Sequence, residues 1–182
     1  MNNKNIFIAI LLLIILGACS RLLEHAPNFT PIAAIAIFTG YFLPRKISLI
    51  IAPLILLISD LFIGFYQPSL MIIVYGSFIL SVIFGWWLKN NFKWYNIALT
   101  AILSGLIFFI ITNFAVWALT PWYPKSIPGL LYCCYLALPF FRNTLLGNLF
   151  YSTILFGAYQ LINLLIMNKI KQRLSNYLTI YK

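Results

Sequence analysis

Long apolar blocks separated by short polar stretches make up almost the whole chain. They lie at about 6–23, 31–43, 47–66, 69–88, 97–119 and 144–167. A helix needs about 20 apolar residues to cross the hydrocarbon core of a bilayer, and five of the blocks meet or approach that length. The pattern therefore predicts an all-α, multi-pass membrane protein that forms a single integral membrane domain over residues 1–182.

The second block, 31–43, is too short to cross the bilayer as one straight helix. About 13 residues at ~1.5 Å each cover only part of the hydrocarbon core. Thr30 is a suitable N-cap and Pro31 suits a first helical position. We expect a short helix that still carries the chain across, which gives six transmembrane helices.

The positive charges agree with six crossings. The chain has 12 Lys and Arg residues but only 2 Asp and Glu residues. With the N-terminus inside, the outer segments hold only Arg21, Lys125 and Arg142. The cytoplasmic segments hold Lys4, Arg45, Lys46, Lys89, Lys93, Lys169, Lys171, Arg173 and Lys182. Because Lys and Arg accumulate in cytoplasmic loops, we expect both termini inside, in a bacterial cytoplasmic (inner) membrane.

Composition also excludes several classes of function. The net charge of +10 is spread thinly among apolar blocks, so no nucleic-acid surface is expected. One histidine, two acidic residues and three cysteines offer no catalytic set, no metal site and no cofactor motif. We therefore predict that the protein is not an enzyme, and that it binds neither a metal nor a cofactor.

Two segments have ambiguous patterns. "LGAC", which ends at Cys19, resembles a lipoprotein cleavage box, but the apolar helix continues through Leu22 and Leu23. We favour a first helix that is retained, and lipoprotein processing stays open. The second segment, at about 121–141, has four prolines around "GLLYCCYLAL", and it predicts an interfacial or re-entrant segment on the outer face.

Polar residues recur at a similar depth in the predicted helices. Three of them lie about six residues, or ~9 Å, from a predicted outer helix end, and the fourth, Asn148, lies about six residues after Arg142, which would stand at the mouth above them. A carboxylate inside a membrane helix costs about 2.5–3.5 kcal/mol on insertion scales, which favours a function for it. The members of this layer are Asp60, Tyr75, Asn113 and Asn148.

A layer of donors and acceptors beneath a loop is typical of a pocket for a small polar solute. The loop above it contributes Arg21, His25 and Asn28. The predicted ligand-binding set is therefore Arg21, His25, Asn28, Asp60, Tyr75, Asn113, Arg142 and Asn148. The alternative is structural: Asp60 pairs only with Arg142 or Arg21, and the asparagines only bond neighbouring helices.

Three strings resemble a known family. "RLLEHAPNFTPIAAIAIFTG", "PRKISLIIAPLILLISDLFIG" and "VYGSF" are similar to an uncharacterised family of bacterial integral membrane proteins, a domain of unknown function. Its layout resembles the S components of energy-coupling-factor (ECF) transporters. The residues that match the family string are Arg21, His25, Asn28 and Asp60.

The resemblance implies an S-component-like bundle that acts as the substrate-binding membrane subunit of a micronutrient or vitamin-type uptake transporter. Its partners would be a small solute of unknown identity, the lipid bilayer and an energy-coupling module, namely a transmembrane coupling subunit with ATPases. S components dock through an Ala-x-x-x-Ala motif on the first helix, whereas here Leu13 follows Ala9. The alternative is a structural or assembly membrane protein without a small-molecule ligand.

Overall fold

The computed structural model describes the backbone of residues 3–180 and the side chains of residues 4–169. Over that range all the regular secondary structure is helical, without strands. Five of the helices are long and apolar enough to cross a membrane, and α2 is shorter. The helices are α1 (Asn3–Leu22), α2 (Ile32–Phe42), α3 (Arg45–Ile63), α4 (Pro68–Asn90), α5 (Trp94–Leu119) and α6 (Ile127–Ile180). The predicted all-α class is confirmed, the five long apolar helices are consistent with a membrane protein, and the bounds of α1 to α5 lie within three residues of the predicted runs.

The last helix differs from the prediction. One continuous helix, α6, replaces both the predicted interfacial segment at 121–141 and the separate helix at 144–167. Pro128 occupies the second position of α6, where a backbone N–H has no partner inside the helix in any case. Pro139 lies inside the helix and removes a single hydrogen bond. Proline was therefore a poor guide to where this helix begins.

The short helix α2 forms the centre of the bundle. It packs against α3, α4, α5 and α6, and most of its residues are buried, from Ile32 to Gly40. Its inner end meets α4 through two glycines. A Cβ atom placed on Gly85 would lie 2.8 Å from the Cα of Gly40, so the two backbones touch. Small residues permit this close approach between membrane helices.

Helices α1 and α3 run side by side in the same direction. Gly17 lies against Ile55, and one turn later Arg21 reaches Ser59. The chain between them therefore has to return through the bundle, and it does so through α2 and the irregular segment 23–31, which we call the descending loop.

The descending loop lies against the middle of α6. A Cβ atom on Gly147 would lie 3.3 Å from the Cα of Phe29, and the Asn143 side chain donates a hydrogen bond to the Pro27 carbonyl at 3.0 Å. The Phe29 ring packs against the ring of Tyr151, with 5.5 Å between centroids. Residues 23–28 of the loop are exposed, whereas Phe29 and Thr30 are half-buried and Pro31 is buried.

Candidate functional site

A buried ion pair joins α1 to α3. Nη1 of Arg21 lies 2.7 Å from Oδ1 of Asp60, whose side chain is only 1% exposed. The same guanidinium donates to the Ser59 hydroxyl and to the Leu56 carbonyl, the latter at 3.3 Å. Tyr75 of α4 donates its hydroxyl proton to Oδ2 of Asp60 at 2.6 Å. Three predicted residues, Arg21, Asp60 and Tyr75, thus meet in one cluster, in which Oδ2 of Asp60 accepts a hydrogen bond and Oδ1 has Arg21 as an ion-pair partner without a hydrogen bond.

Tyr66 lies beside this cluster, in the turn between α3 and α4. Burial raises its pKa above the ordinary value of 10.0, the negative charge of Asp60 raises it further, and Arg21 partly opposes the rise. The phenol therefore stays protonated at neutral pH and can serve as a neutral hydrogen-bonding group.

Arg142 is not part of the Arg21–Asp60 cluster. The rings of Phe141 and Phe109 stack with 4.6 Å between centroids, which sets the neighbouring Arg142 level with the middle of α5. Arg142 is 15 residues from Ile127, or about 22 Å along the helix. Its side chain is exposed on the outside of the bundle and forms no ion pair among the described residues. The structure therefore does not place Arg142 beside Asp60 or at the mouth of a pocket.

Two other predicted residues also lie apart. His25 is exposed in the descending loop, and its Nδ1 lies 2.6 Å from the Leu23 carbonyl oxygen. Asn148 is 2% exposed and donates a hydrogen bond to the Ala101 carbonyl of α5 at 3.2 Å. Asn148 thus joins α6 to α5, a use of asparagine that is common between membrane helices.

The remaining two predicted residues, Asn28 and Asn113, line one cavity, which we call the polar cavity. It measures about 110 Å³ and lies between the descending loop, α5 and α6. Its other lining residues are Phe108, Phe109, Thr112, Ala137, Phe140, Phe141 and Thr144. No charged side chain is among them. Asn28 has a φ of 64°, in the left-handed region, which turns the loop at the cavity.

The polar cavity offers mainly acceptors. Thr112 and Thr144 each donate their hydroxyl proton to a carbonyl one turn earlier on their own helix, so their oxygens can still accept. Asn113 donates to the Phe109 carbonyl at 2.7 Å, which leaves its own oxygen 4.0 Å from the Cys133 sulfur. The Asn28 side chain forms no hydrogen bond with the described residues. A guest with hydroxyl or amide N–H groups suits this lining.

Sequence reasoning missed Thr112 and Thr144. Threonine in a membrane helix usually satisfies itself by bonding its own preceding turn, as both do here, so its presence alone indicates no site. The sequence signal that could have found these two threonines is their position beside asparagines. Thr112 directly precedes Asn113, and Thr144 directly follows Asn143.

A second cavity lies toward the N-terminal end of α4 and the C-terminal end of α5, the two ends that the sequence predicts on the outer face, and we call it the outer cavity. It measures about 390 Å³ and is lined mostly by apolar side chains. They are Tyr66, Gln67, Leu70, Ile73, Val74, Thr112, Ala115, Val116 and Trp122. Thr112 belongs to both cavities, so they adjoin on one face of α5, with the polar cavity nearer the middle of that helix.

Within residues 4–169, no group of three His, Cys, Asp or Glu side chains is placed to hold a metal ion.

Comparison with known proteins gives a family but no activity. No curated protein and no solved structure matches the chain. The model of a family of unknown function, DUF6580, matches residues 1–172, and the chain belongs to that family.

Proposed function

We propose that this membrane protein binds a small polar solute in the polar cavity, beneath its outer face. One observation carries the proposal: amide and hydroxyl groups from three separate parts of the chain (Asn28, Asn113 and Thr144) converge on one cavity. Aromatic rings complete its wall, and a few convergent polar groups in an apolar wall are typical of small-molecule sites. Irregular backbone beside a cavity at membrane depth is also typical of solute sites in transporters.

The topology proposed for this site is six crossings with both termini in the bacterial cytoplasm. The parallel course of α1 and α3 supports it, because the descending loop and α2 together carry the chain back between them. The predicted distribution of Lys and Arg agrees. Labelling of single cysteines at Gln67 and Asn91 with an impermeant reagent checks it, since the two ends of α4 should be reachable from opposite sides of the membrane.

The test of binding works even though the solute is unidentified. The protein is purified in lipid nanodiscs from its own host, and native mass spectrometry records any small molecule that remains bound. We expect a bound species in wild type and at least about a tenfold loss in Asn113→Leu, because an apolar side chain leaves the solute's polar groups unpaired.

Asn163→Leu is the matched control. It makes the same substitution on α6, at a partly exposed position that lies outside both cavities. We expect this variant to keep the solute. Absence of a bound molecule from wild type, or equal losses in the two variants, would sink the proposal.

A transport role extends the proposal. The solute would pass to an energy-coupling module, as the S-component resemblance implies, and the apolar faces of α1 and α6 are available for docking in the membrane. Co-purification of the tagged protein with a transmembrane coupling subunit and ATPases supports this role. Recovery of the protein without them, while the solute remains bound, limits the function to binding.

A second candidate function is structural, as part of a membrane assembly without a solute. The observation that favours it is the completeness of the Arg21–Asp60–Tyr75 cluster, which needs no ligand. This candidate predicts that Asn113→Leu has no effect on cell growth or bound molecules, whereas loss of Asp60 impairs assembly.

A further inference from the structure

We infer that the solute is a neutral amphipathic molecule, with its polar end in the polar cavity and an apolar body in the outer cavity. The inference rests on the proposed function and specifies the class of its ligand. It follows from three features: the order of the two cavities along α5, the chemistry of their linings, and the absence of charged side chains from both.

The order of the cavities comes from the positions along α5. The polar cavity uses Phe108 to Asn113, and the outer cavity uses Thr112 to Val116. Residues 108, 112 and 116 are spaced by four, so they follow one another along a single face of the helix. Trp122 borders the outer cavity beyond the end of α5. The two cavities therefore follow one another along α5 and meet at Thr112.

The linings differ in chemistry. Leucine, isoleucine, valine and alanine side chains predominate in the outer cavity, and its polar groups are those of Tyr66, Gln67 and Thr112. Its volume of about 390 Å³ falls within the range of ligand pockets, roughly 300–1,000 Å³, whereas the polar cavity alone holds only a small head group. One ligand that fills both has a hydroxyl- or amide-bearing end and an aliphatic or aromatic body.

The lack of charge excludes an ionic ligand. Neither lining contains Lys, Arg, Asp or Glu. The nearby charges of Arg21 and Asp60 neutralise one another at 2.7 Å, and Arg142 is exposed and lines neither cavity. An ion entering this space would lose its hydration without gaining a counter-charge, which costs several kcal/mol.

Thiol-reactive probes test the inference without the natural ligand. Thr112→Cys is made in a chain in which Cys19, Cys133 and Cys134 are replaced by Ala, in nanodiscs. Its reaction rate is measured with benzyl, sulfonatoethyl and trimethylammonioethyl methanethiosulfonates, and each rate is divided by that reagent's rate with a free thiol. We expect the neutral benzyl reagent to react at least about tenfold faster than either charged reagent.

Blocking the outer cavity supplies the second readout. Val116→Trp should slow the benzyl reaction of Thr112→Cys at least about tenfold, because the larger ring fills the apolar space. Leu106→Trp, on the exposed face of α5, is the matched control and should leave the rate unchanged. If Val116→Trp does not fold, Ile73→Trp blocks the same cavity from α4.

Equal rates for neutral and charged reagents, or no effect of the blocking variants, would overturn the inference. Neither result affects whether Asn113→Leu loses the bound solute. That measurement tests the proposed function separately. If no solute is retained but the cavity still selects the neutral reagent, the proposed function fails and the ligand class fails with it.

Discussion

Removal of the Arg21 side chain should destabilise the fold far more than removal of an exposed arginine. Arg21→Met leaves the Asp60 carboxylate at 1% exposure with Tyr75 as its remaining hydrogen-bond donor among the described side chains. Loss of one partner from a buried ion pair costs about 3–5 kcal/mol, since an uncompensated charge stays in an apolar site. An exposed pair would lose only about 0–1 kcal/mol.

The assay is reversible unfolding by dodecyl sulfate in mixed micelles, followed by the loss of helical circular dichroism. Arg142→Met is the control, because Arg142 is exposed and forms no ion pair among the described residues. We expect it to change the unfolding free energy by less than about 0.5 kcal/mol. The double variant Arg21→Met/Asp60→Asn removes both charges while the amide oxygen still accepts from Tyr75, so it should recover most of the loss.

Two results would refute the energetic role of the buried charges. One is a cost below about 1 kcal/mol for Arg21→Met, which would mean that the pair behaves as a solvated one. The other is a double variant as unstable as Arg21→Met, which would mean that the lost stability lay in packing by the arginine stem and not in the charge.

Three further predictions concern the helix contact, the loop and the turn. Gly85→Ala should destabilise the bundle by about 1–3 kcal/mol because its Cβ would collide with α2, whereas Gly76→Ala, with open space around it, should be neutral or slightly stabilising in the same unfolding assay. Asn28→Gly should keep the fold but weaken solute retention, whereas Asn28→Val should cost about 1–2 kcal/mol, because a φ of 64° suits glycine and not a β-branched residue. Because the pKa of Tyr66 is raised in the fold, the protonated Tyr66 side chain stabilises the folded state below pH 10. This stabilisation is lost as the pH rises from about 10 through the raised pKa. The free energy of unfolding should therefore fall less steeply with pH across that alkaline range in Tyr66→Phe than in wild type. The same dependence on pH in both proteins would contradict the raised pKa of Tyr66.

The helices that the sequence predicted well are those bounded by polar residues or by turns. The ends of α3 and α4 lie near Arg45, Gly64, Pro68 and Asn90, where the apolar pattern stops. In a membrane protein such boundaries are reliable because the thickness of the hydrocarbon core sets how many apolar residues a spanning helix needs.

The predicted start of α6 was wrong for a local reason. Prolines at 128 and 139 suggested a broken segment, yet the first is compatible with an N-terminal turn and the second costs one hydrogen bond. With the helix beginning at 127 and not at 144, Arg142 lies inside α6, and it is not among the residues that line either cavity.

The predicted polar layer does not stay together in the structure. Asp60 and Tyr75 meet Arg21, and Asn113 meets Asn28 of the loop at the polar cavity. Asn148 lies apart from both and joins α6 to α5. Depth along a helix can be counted from the sequence, but the direction in which each side chain points around the bundle depends on how the helices pack. The descent of the loop after α1 into the bundle was also beyond prediction, since nothing in the loop's composition indicates what covers it.

The most direct test of solute binding is a crystal structure of the protein, purified with lipids from its own host and grown in a lipidic mesophase. We expect density for a bound, uncharged molecule with its polar end within hydrogen-bond distance of Asn28 or Asn113 and its apolar part beyond Thr112 toward Trp122. Water alone in the polar cavity, with the Arg21–Asp60 pair intact, would contradict solute binding and favour the structural role.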